Sequence, residues 1–335
     1  MNLPPLAPER AREIVATLAG TRILVIGDVM LDKFTVGRVS RISPEAPVPV
    51  LTFSHETTRL GGAANVANNI VALGGEAILL SVIGADDAGT ALTRACKQAG
   101  IATRFVTDPT RPTTTKMRIV TERNQQVARV DYEHDGDIST DVARQLEGEL
   151  RQCAATIAGV VVSDYLKGVV TRDVMNGVTS IAAAHRRTVL VDPKIPHIDL
   201  YECTDVITPN HYEAETATHM RIRSLDEARA AAHAFRARTG CKNVLMTRGD
   251  QGMWLLGDGV EGALPAAARE VADVTGAGDT VMAAMALVLA SGAGTMVEAA
   301  QVANAAAGVA VGKFGAATVT PAELLAALES ASEPT

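Results

Sequence analysis

The stretch Asp273-Val274-Thr275-Gly276-Ala277-Gly278-Asp279-Thr280 concentrates the residue types that can do chemistry. Behind it runs Val281-Met282-Ala283-Ala284-Met285-Ala286-Leu287-Val288-Leu289-Ala290, apolar on every side and made largely of good helix formers. The pair reads as a loop opening into a buried helix. Gly276, Ala277 and Gly278 would present bare backbone N–H groups at the positive end of the helix dipole, a seat for an anion and most naturally for a phosphate. Asp279, in the first turn, would repel that anion. Its place beside the seat suits a group that takes a proton from an attacking hydroxyl. The plainer alternative is that Asp279 caps the helix and the glycines make a tight turn.

Other polar residues fall at the ends of apolar runs. Arg22-Ile23-Leu24-Val25-Ile26-Gly27-Asp28 reads as a strand buried on both faces. In an open α/β sheet ligands meet the carboxyl ends of such strands, which puts Asp28 and Asp32 where sugar hydroxyls would donate to them. The same pattern returns at Asp164, at Asp192 with Lys194, at Asn210 with Glu213, and at Thr247 with Arg248. Lys194 is placed to touch a phosphate. An acidic group at Glu213, with Asn210, suits the hydration shell of Mg²⁺ bridging phosphates. Gly61 and Gly62 would let a ligand approach the backbone, within reach of the Asn65 amide.

The elements that position these groups follow from periodicity. Helices are expected over 8–18, 89–99, 141–153, 172–185 and 224–239, with further helices after Gly62 and Asp279. Strands are expected at 22–28, 77–84, 159–165, 188–194, 205–210 and 243–249. This alternation favours a parallel sheet. Segments 34–60 and 103–134 break it with half-exposed strands and prolines, and read as a small β-sheet lid. Lys116, Arg118 and Arg129 on that lid are either a solvated face or a site for an anionic substrate group. Thr320-Pro321-Ala322-Glu323 starts a last helix, and 329–335 reads as a frayed tail.

Composition bounds the function. The chain has 335 residues, 47% of them hydrophobic and 3% aromatic, with a formal net charge of -7. That supports ample core and argues against a nucleic-acid binder working by bulk charge. Cys96, Cys153, Cys203 and Cys241 are widely spaced and read as buried free thiols in a reducing compartment. With no signal-peptide pattern and no membrane-length apolar run, a cytoplasmic protein without membrane association is expected. There is neither a Gly-x-x-x-x-Gly-Lys-Ser/Thr loop nor a Gly-x-Gly-x-x-Gly after the first strand, so neither a P-loop enzyme nor a dinucleotide dehydrogenase is expected.

The string Asp-x-Thr-Gly-Ala-Gly-Asp-Thr, with Gly61-Gly62-Ala63-Ala64-Asn65-Val66-Ala67, resembles the signatures of the ribokinase-like (PfkB) carbohydrate kinases. The resemblance implies an α/β three-layer sandwich with a mainly parallel central sheet and a β-sheet lid, as one kinase domain over 1–335. It implies Asp279 as catalytic base and the amides of Gly276, Ala277 and Gly278 as anion hole. It also implies ATP with Mg²⁺ held near Asn210 and Glu213, and a nucleotide side built from Thr247, Arg248, Gly249 and Gly252. By the same likeness the helix carrying Asn304 and Gly308 lines an adenine pocket. Asp273 and Thr275 would help hold a monovalent cation, K⁺, near Lys313-Phe314-Gly315.

Within that family, Ser40-Arg41-Ile42-Ser43-Pro44-Glu45-Ala46-Pro47, Arg123-Asn124-Gln125-Gln126 and Ser163-Asp164-Tyr165 look like the heptose-phosphate kinase branch. His211-Tyr212 departs from the Leu-Ser expected inside Asn-x-x-Glu and leaves the magnesium residues intact. The likeness implies a sugar-phosphate acceptor transformed at its C1 hydroxyl, with Lys116, Arg118, Arg129 or Arg41 pairing with its phosphate and Asp164 at the substrate side. It implies the stand-alone form, with a separate adenylyltransferase acting later toward ADP-heptose and lipopolysaccharide, and a homodimer through exposed lid edges. The rival expectations are a kinase of fructose, ribose or a fructose phosphate, and a non-catalytic nucleotide or sugar sensor on the same fold. Asp279→Asn is expected to cut turnover by about 10²–10⁴, measured as ADP release; near-wild-type turnover would remove Asp279 from the role of base.

Overall fold

The computed structural model describes residues 2–268 and 270–331. Its strands are β1 (Arg22–Gly27), β2 (Val29–Ile42), β3 (Pro49–Gly62), β4 (Glu76–Ile83), β5 (Ala102–Thr107), β6 (Thr115–Thr121), β7 (Gln126–Tyr132), β8 (Gly159–Ser163), β9 (Thr188–Asp192), β10 (Val206–Ile207), β11 (Asn243–Thr247), β12 (Met253–Gly257) and β13 (Val260–Leu264). Its helices are α1 (Pro8–Thr17), α2 (Ala63–Ala72), α3 (Asp87–Gln98), α4 (Thr140–Cys153), α5 (Arg172–His185), α6 (His211–Thr218), α7 (Leu225–Thr239), α8 (Ala277–Ala290), α9 (Met296–Val311) and α10 (Pro321–Ala331).

The central sheet runs β13-β12-β11-β10-β9-β8-β1-β4-β5. Pairing is parallel from β11 through to β5, and β12 and β13 add an antiparallel edge. Strand alternation splits the core in two. Ile23, Val25, Val161, Leu190 and Leu245 face a core completed by α2, α8, α9 and α10. Leu24, Ile26, Val160, Val162, Val191 and Met246 face one completed by α4, α5 and α7. These runs are apolar on both faces because both faces are covered by helices. The expected three-layer α/β architecture is therefore present, and among the described residues no helix is long and apolar enough to cross a membrane.

The lid is a second sheet, β3-β2-β6-β7. It starts earlier than the sequence suggests: β2 follows β1 with only Asp28 between them, and β3 runs straight into α2. The expected lid span 103–134 divides, because β5 pairs in parallel with β4 in the central sheet. Asp32, Lys116, Arg118, Arg129 and Asp131 share one lid face by register, while Met117, Ile119, Ala128, Val130 and Tyr132 share the other.

Two further expectations are corrected. Cys96, Cys153 and Cys241 are buried but Cys203 is exposed, at φ 63° in a turn. Glu329 is helical and pairs with Arg12 at 2.6 Å, so the frayed tail does not start there; the rest of that span beyond Ala331 lies outside the described residues.

Candidate active site

The site is built around the end of β1. Gly27 holds φ +152°, and a Cβ there would run into the Ser163 carbonyl, so the chain turns against β8 only with glycine at this position. The next residue, Asp28, is 1% exposed. Its carboxylate accepts hydrogen bonds from the backbone N–H groups of Tyr165 (2.8 Å), Lys167 (3.0 Å) and Val169 (3.0 Å). Burial pushes Asp28 above the usual carboxylate range, and these three amides pull the other way. The expected sugar contact at Asp28 is thus corrected: the loop after β8 takes both its oxygens.

That loop delivers Tyr165 to Asp279. The Tyr165 hydroxyl donates to Asp279 Oδ1 at 2.9 Å, and Asn65 Nδ2 donates to Asp279 Oδ2 at 2.6 Å. Asp279 sits in the first turn of α8, 6% exposed. Burial lifts its pKa to about 6, against the two donors and the nearby Lys194 charge. Tyr165 is itself held protonated, because burial and the Asp279 charge raise it well above 10.0. Asn65 Oδ1 is buried and has no hydrogen-bond partner among the described residues, an open acceptor beside the Asp279 carboxylate. Gly276, the α8 N-cap, is left-handed at φ 80° and makes no side-chain cap, so neither does Asp279 cap the helix.

A second charged group lies alongside. Lys194 Nζ donates to Glu213 Oε1 at 2.6 Å and stands 5.6 Å from the Tyr165 ring centroid. Asn210 and Glu213 form a reciprocal capping box at α6, with 2.9 Å bonds in both directions. The Asn-x-x-Glu spacing therefore has a structural use, and it fixes the Glu213 carboxylate. Asp192, at the end of β9, is lifted to about 8: burial is the main cause, Lys194 opposes it, and Asp279, Glu213 and Asp164 add repulsion. Burial also works against the charge on Lys194, but Asp192 and Glu213 outweigh it and hold its pKa above the ordinary value. Among the described residues no three His, Cys, Asp or Glu side chains are grouped to hold a metal alone. Asp192 and Glu213, both beside Lys194, are the carboxylates that would hold Mg²⁺ through its water shell.

Other expected residues land elsewhere. Asp164 is fully buried and accepts from Tyr201 Oη and pairs with His197 Nδ1, both at 2.7 Å, so it braces the 193–201 turn and not a substrate. Gly61 and Gly62 give close approach to the protein's own groups: a Cβ on Gly61 would meet Asp32 Oδ2 at 2.5 Å, and one on Gly62 would overlap the Asp28 carbonyl. Arg118 pairs with Asp32. Lys116 pairs with Asp131 (3.5 Å) and Glu133 (3.2 Å), and Arg129 with Asp131 (3.0 Å). Arg41 lies exposed toward the tip of the β2–β3 hairpin.

On the far side, Thr247 bridges to Asn210, and Arg248 to Gly252 make a tight turn with Gly249 and Gly252 at φ 59° and 79°. Arg248 is 6% exposed and, among the described residues, touches Gln251 but no carboxylate; burial lowers its pKa. Asn304 donates to the Pro265 carbonyl at 2.8 Å, and a Cβ on Gly308 would meet Ala267 Cβ at 2.9 Å. Both are packing positions beneath the 265–268 segment. Asp273 accepts from Thr275 N (2.9 Å), Thr275 Oγ1 (2.7 Å) and Gly315 N (2.9 Å), which holds its pKa low and ties the anion loop to the 313–316 turn.

Sequence reasoning missed Tyr165 as a donor to Asp279 and Asp192 as a buried neighbour of Lys194. The signal was the row of polar strand ends, which contains both; it does not say which neighbour turns inward.

The chain is 44% identical over 314 residues to the D-beta-D-heptose 7-phosphate kinase of Bordetella bronchiseptica, covering 92% of this chain and 96% of that protein. It is 45% identical over 309 residues to the bifunctional protein HldE of Trichlorobacter lovleyi, and there it spans only 62% of the relative's length. The fold is shared with phosphofructokinase-2 from Escherichia coli in complex with potassium, at TM-score 0.77 and 20% identity, covering 94% of this chain and 100% of the other. Residues 20–323 match the pfkB family carbohydrate kinase profile, and the chain belongs to that family.

Proposed function

We propose that this protein transfers the γ-phosphoryl group of ATP to the C1 hydroxyl of D-glycero-β-D-manno-heptose 7-phosphate, giving the 1,7-bisphosphate. The observation that carries the chemistry is the buried Asp279 carboxylate, held by Asn65 and Tyr165 at the mouth of an uncapped helix N-terminus. Its support for the substrate is the 44% identity to the Bordetella bronchiseptica enzyme over nearly all of both chains.

The acceptor hydroxyl gives its proton to Asp279 as its oxygen bonds to phosphorus and the bond from phosphorus to the ADP oxygen breaks. The 276–278 amides meet the charge on the phosphoryl oxygens. Mg²⁺, when bound, supplies neutralisation of the nucleotide phosphates. Asp192 and Glu213 would hold it through water, while Lys194 stays protonated beside them. Thr247, Arg248, Gly249 and Gly252, with Asn304 and Gly308, belong to the nucleotide side. The acceptor's own phosphate is received on the charged lid face, where it competes with Asp32 for Arg118 and with Asp131 for Lys116 and Arg129.

The same reading takes the protein as cytoplasmic. It also includes a potassium ion beside Asp273 and Thr275, and a homodimer through the apolar lid face of Met117, Ile119, Val130 and Tyr132. Equal rates in sodium and potassium salts would remove the ion, and a single-chain sedimentation mass at micromolar concentration would remove the dimer.

The acceptor is tested by ADP release with Mg-ATP on heptose 7-phosphate, fructose 6-phosphate, fructose and ribose. Strong preference for the heptose phosphate is expected; turnover on unphosphorylated sugars alone would discard the phosphate-binding lid. The pH dependence has a fixed sign. Protonation of Asp279 removes the base, so kcat falls as pH drops through about 6. In Tyr165→Phe one donor to the charged carboxylate is lost, so this acidic limb moves to higher pH. A limb at the wild-type position in Tyr165→Phe would separate the tyrosine from the base.

A further inference from the structure

Arg59 sits near the end of β3, opposite Asp32 in the strand register, on the charged lid face. Its guanidinium carbon stands 5.3 Å from the Phe34 ring centroid, and that of Arg118 stands 5.4 Å from the same ring. The two arginines differ in what they touch. Arg118 is committed to Asp32, Lys116 to Asp131 and Glu133, Arg129 to Asp131, and Lys194 to Glu213. Arg59 has no ion-pair partner among the described residues. A guanidinium left without a carboxylate next to several acidic groups is an open seat for an anion.

Its surroundings say which anion. The guanidinium lies directly on Gly315, where any Cβ would overlap it. Gly315 N donates to Asp273 Oδ2, and the adjoining Ala316 packs on Gly276, whose Cβ would meet Ala316 Cβ at 3.4 Å. The charge of Arg59 is felt at Asp273, and that of Asp32 at Asp279. Arg59 is thus the lid cation that lies on the 313–316 turn, the turn that Asp273 ties to the 276–278 loop.

We propose that Arg59 contacts the phosphoryl group in flight. The 276–278 amides hold that group from the floor of the cleft, and Arg59 meets its outer oxygens from the lid. The bonds made and broken are those of the transfer already described. This rests on the kinase reading of the Asp279 site and adds a residue to it.

The test compares wild type with Arg59→Lys and Arg59→Gln, following kcat, both KM values, thermal melting, and binding of ADP with aluminium fluoride and acceptor, a mimic of the transferring group. The expected result in Arg59→Gln is a fall in kcat of about 10²–10³. The acceptor KM stays within a few-fold, the melting temperature is unchanged, and the tight binding of the fluoride complex is lost while ADP alone still binds. Arg59→Lys recovers part of kcat. Unchanged kcat and fluoride binding would overturn the proposal, as would a rise confined to the acceptor KM, which would assign Arg59 to the acceptor's own phosphate. If wild type prefers another sugar, the same comparison is run on that sugar, so failure of the acceptor assignment and failure of Arg59 stay distinct.

Discussion

The Asp28 carboxylate, clamped by three backbone amides, is the contact on which the site depends. Removing a carboxylate from water costs several kcal/mol unless donors replace the lost solvent. Here the donors come from one loop, so the desolvated charge and the path of 165–169 specify each other. Asp28 also sits where three structures meet: the end of β1, the root of the lid and the start of α2, whose Ala63 N donates to the Asp28 carbonyl at 3.0 Å. A carboxylate occupied by backbone amides thereby sets where Tyr165, which donates to Asp279, must stand.

The electrostatics of the cleft follow one balance. Four carboxylates, Asp279, Asp192, Asp164 and Glu213, crowd around Lys194; burial is the main lift on both Asp192 and Asp279, with repulsion from Asp279, Glu213 and Asp164 added at Asp192 and from Asp32 at Asp279. In the proposed role of base, a carboxylate near 6 is strong enough to accept a proton yet still ionised at neutral pH, the compromise that general-base catalysis requires. Asn65 and Tyr165 keep it from rising further. The excess negative charge is tolerable because the ligands of such a site arrive with cations of their own.

Much of this was legible in the sequence. Runs such as Ile23 to Ile26 had to be buried on both faces, and their polar ends had to line one edge of the sheet. The loop that opens into α8 at Gly276 was legible because glycines ahead of an all-round apolar run mark the start of a buried helix. What failed was direction. Asp28 and Asp164 were found at the right ends but turn to backbone and to Tyr201 and His197, since a carboxylate's choice between ligand and loop depends on where a distant segment runs. The strand β5 was grouped with the lid because, as an edge strand, it is half exposed and alternates like one. The Asn210–Glu213 spacing was ambiguous in principle, because a helix cap and a metal-side carboxylate need the same two residues three apart.

The way the lid is rooted limits how it moves. β2 leaves β1 across one buried residue, and β3 enters α2 with no linker, so neither strand has slack for a swinging hinge. The register between β2 and β3 slips instead at Val36/Gly37 and Val39/Arg41. Such bulges bend a strand and sharpen its twist without breaking the ladder. The lid is therefore a leaf spring: its base stays fixed against the catalytic floor while the outer half flexes, and opening for product escape strains the far end of the hairpin more than the residues beside the base.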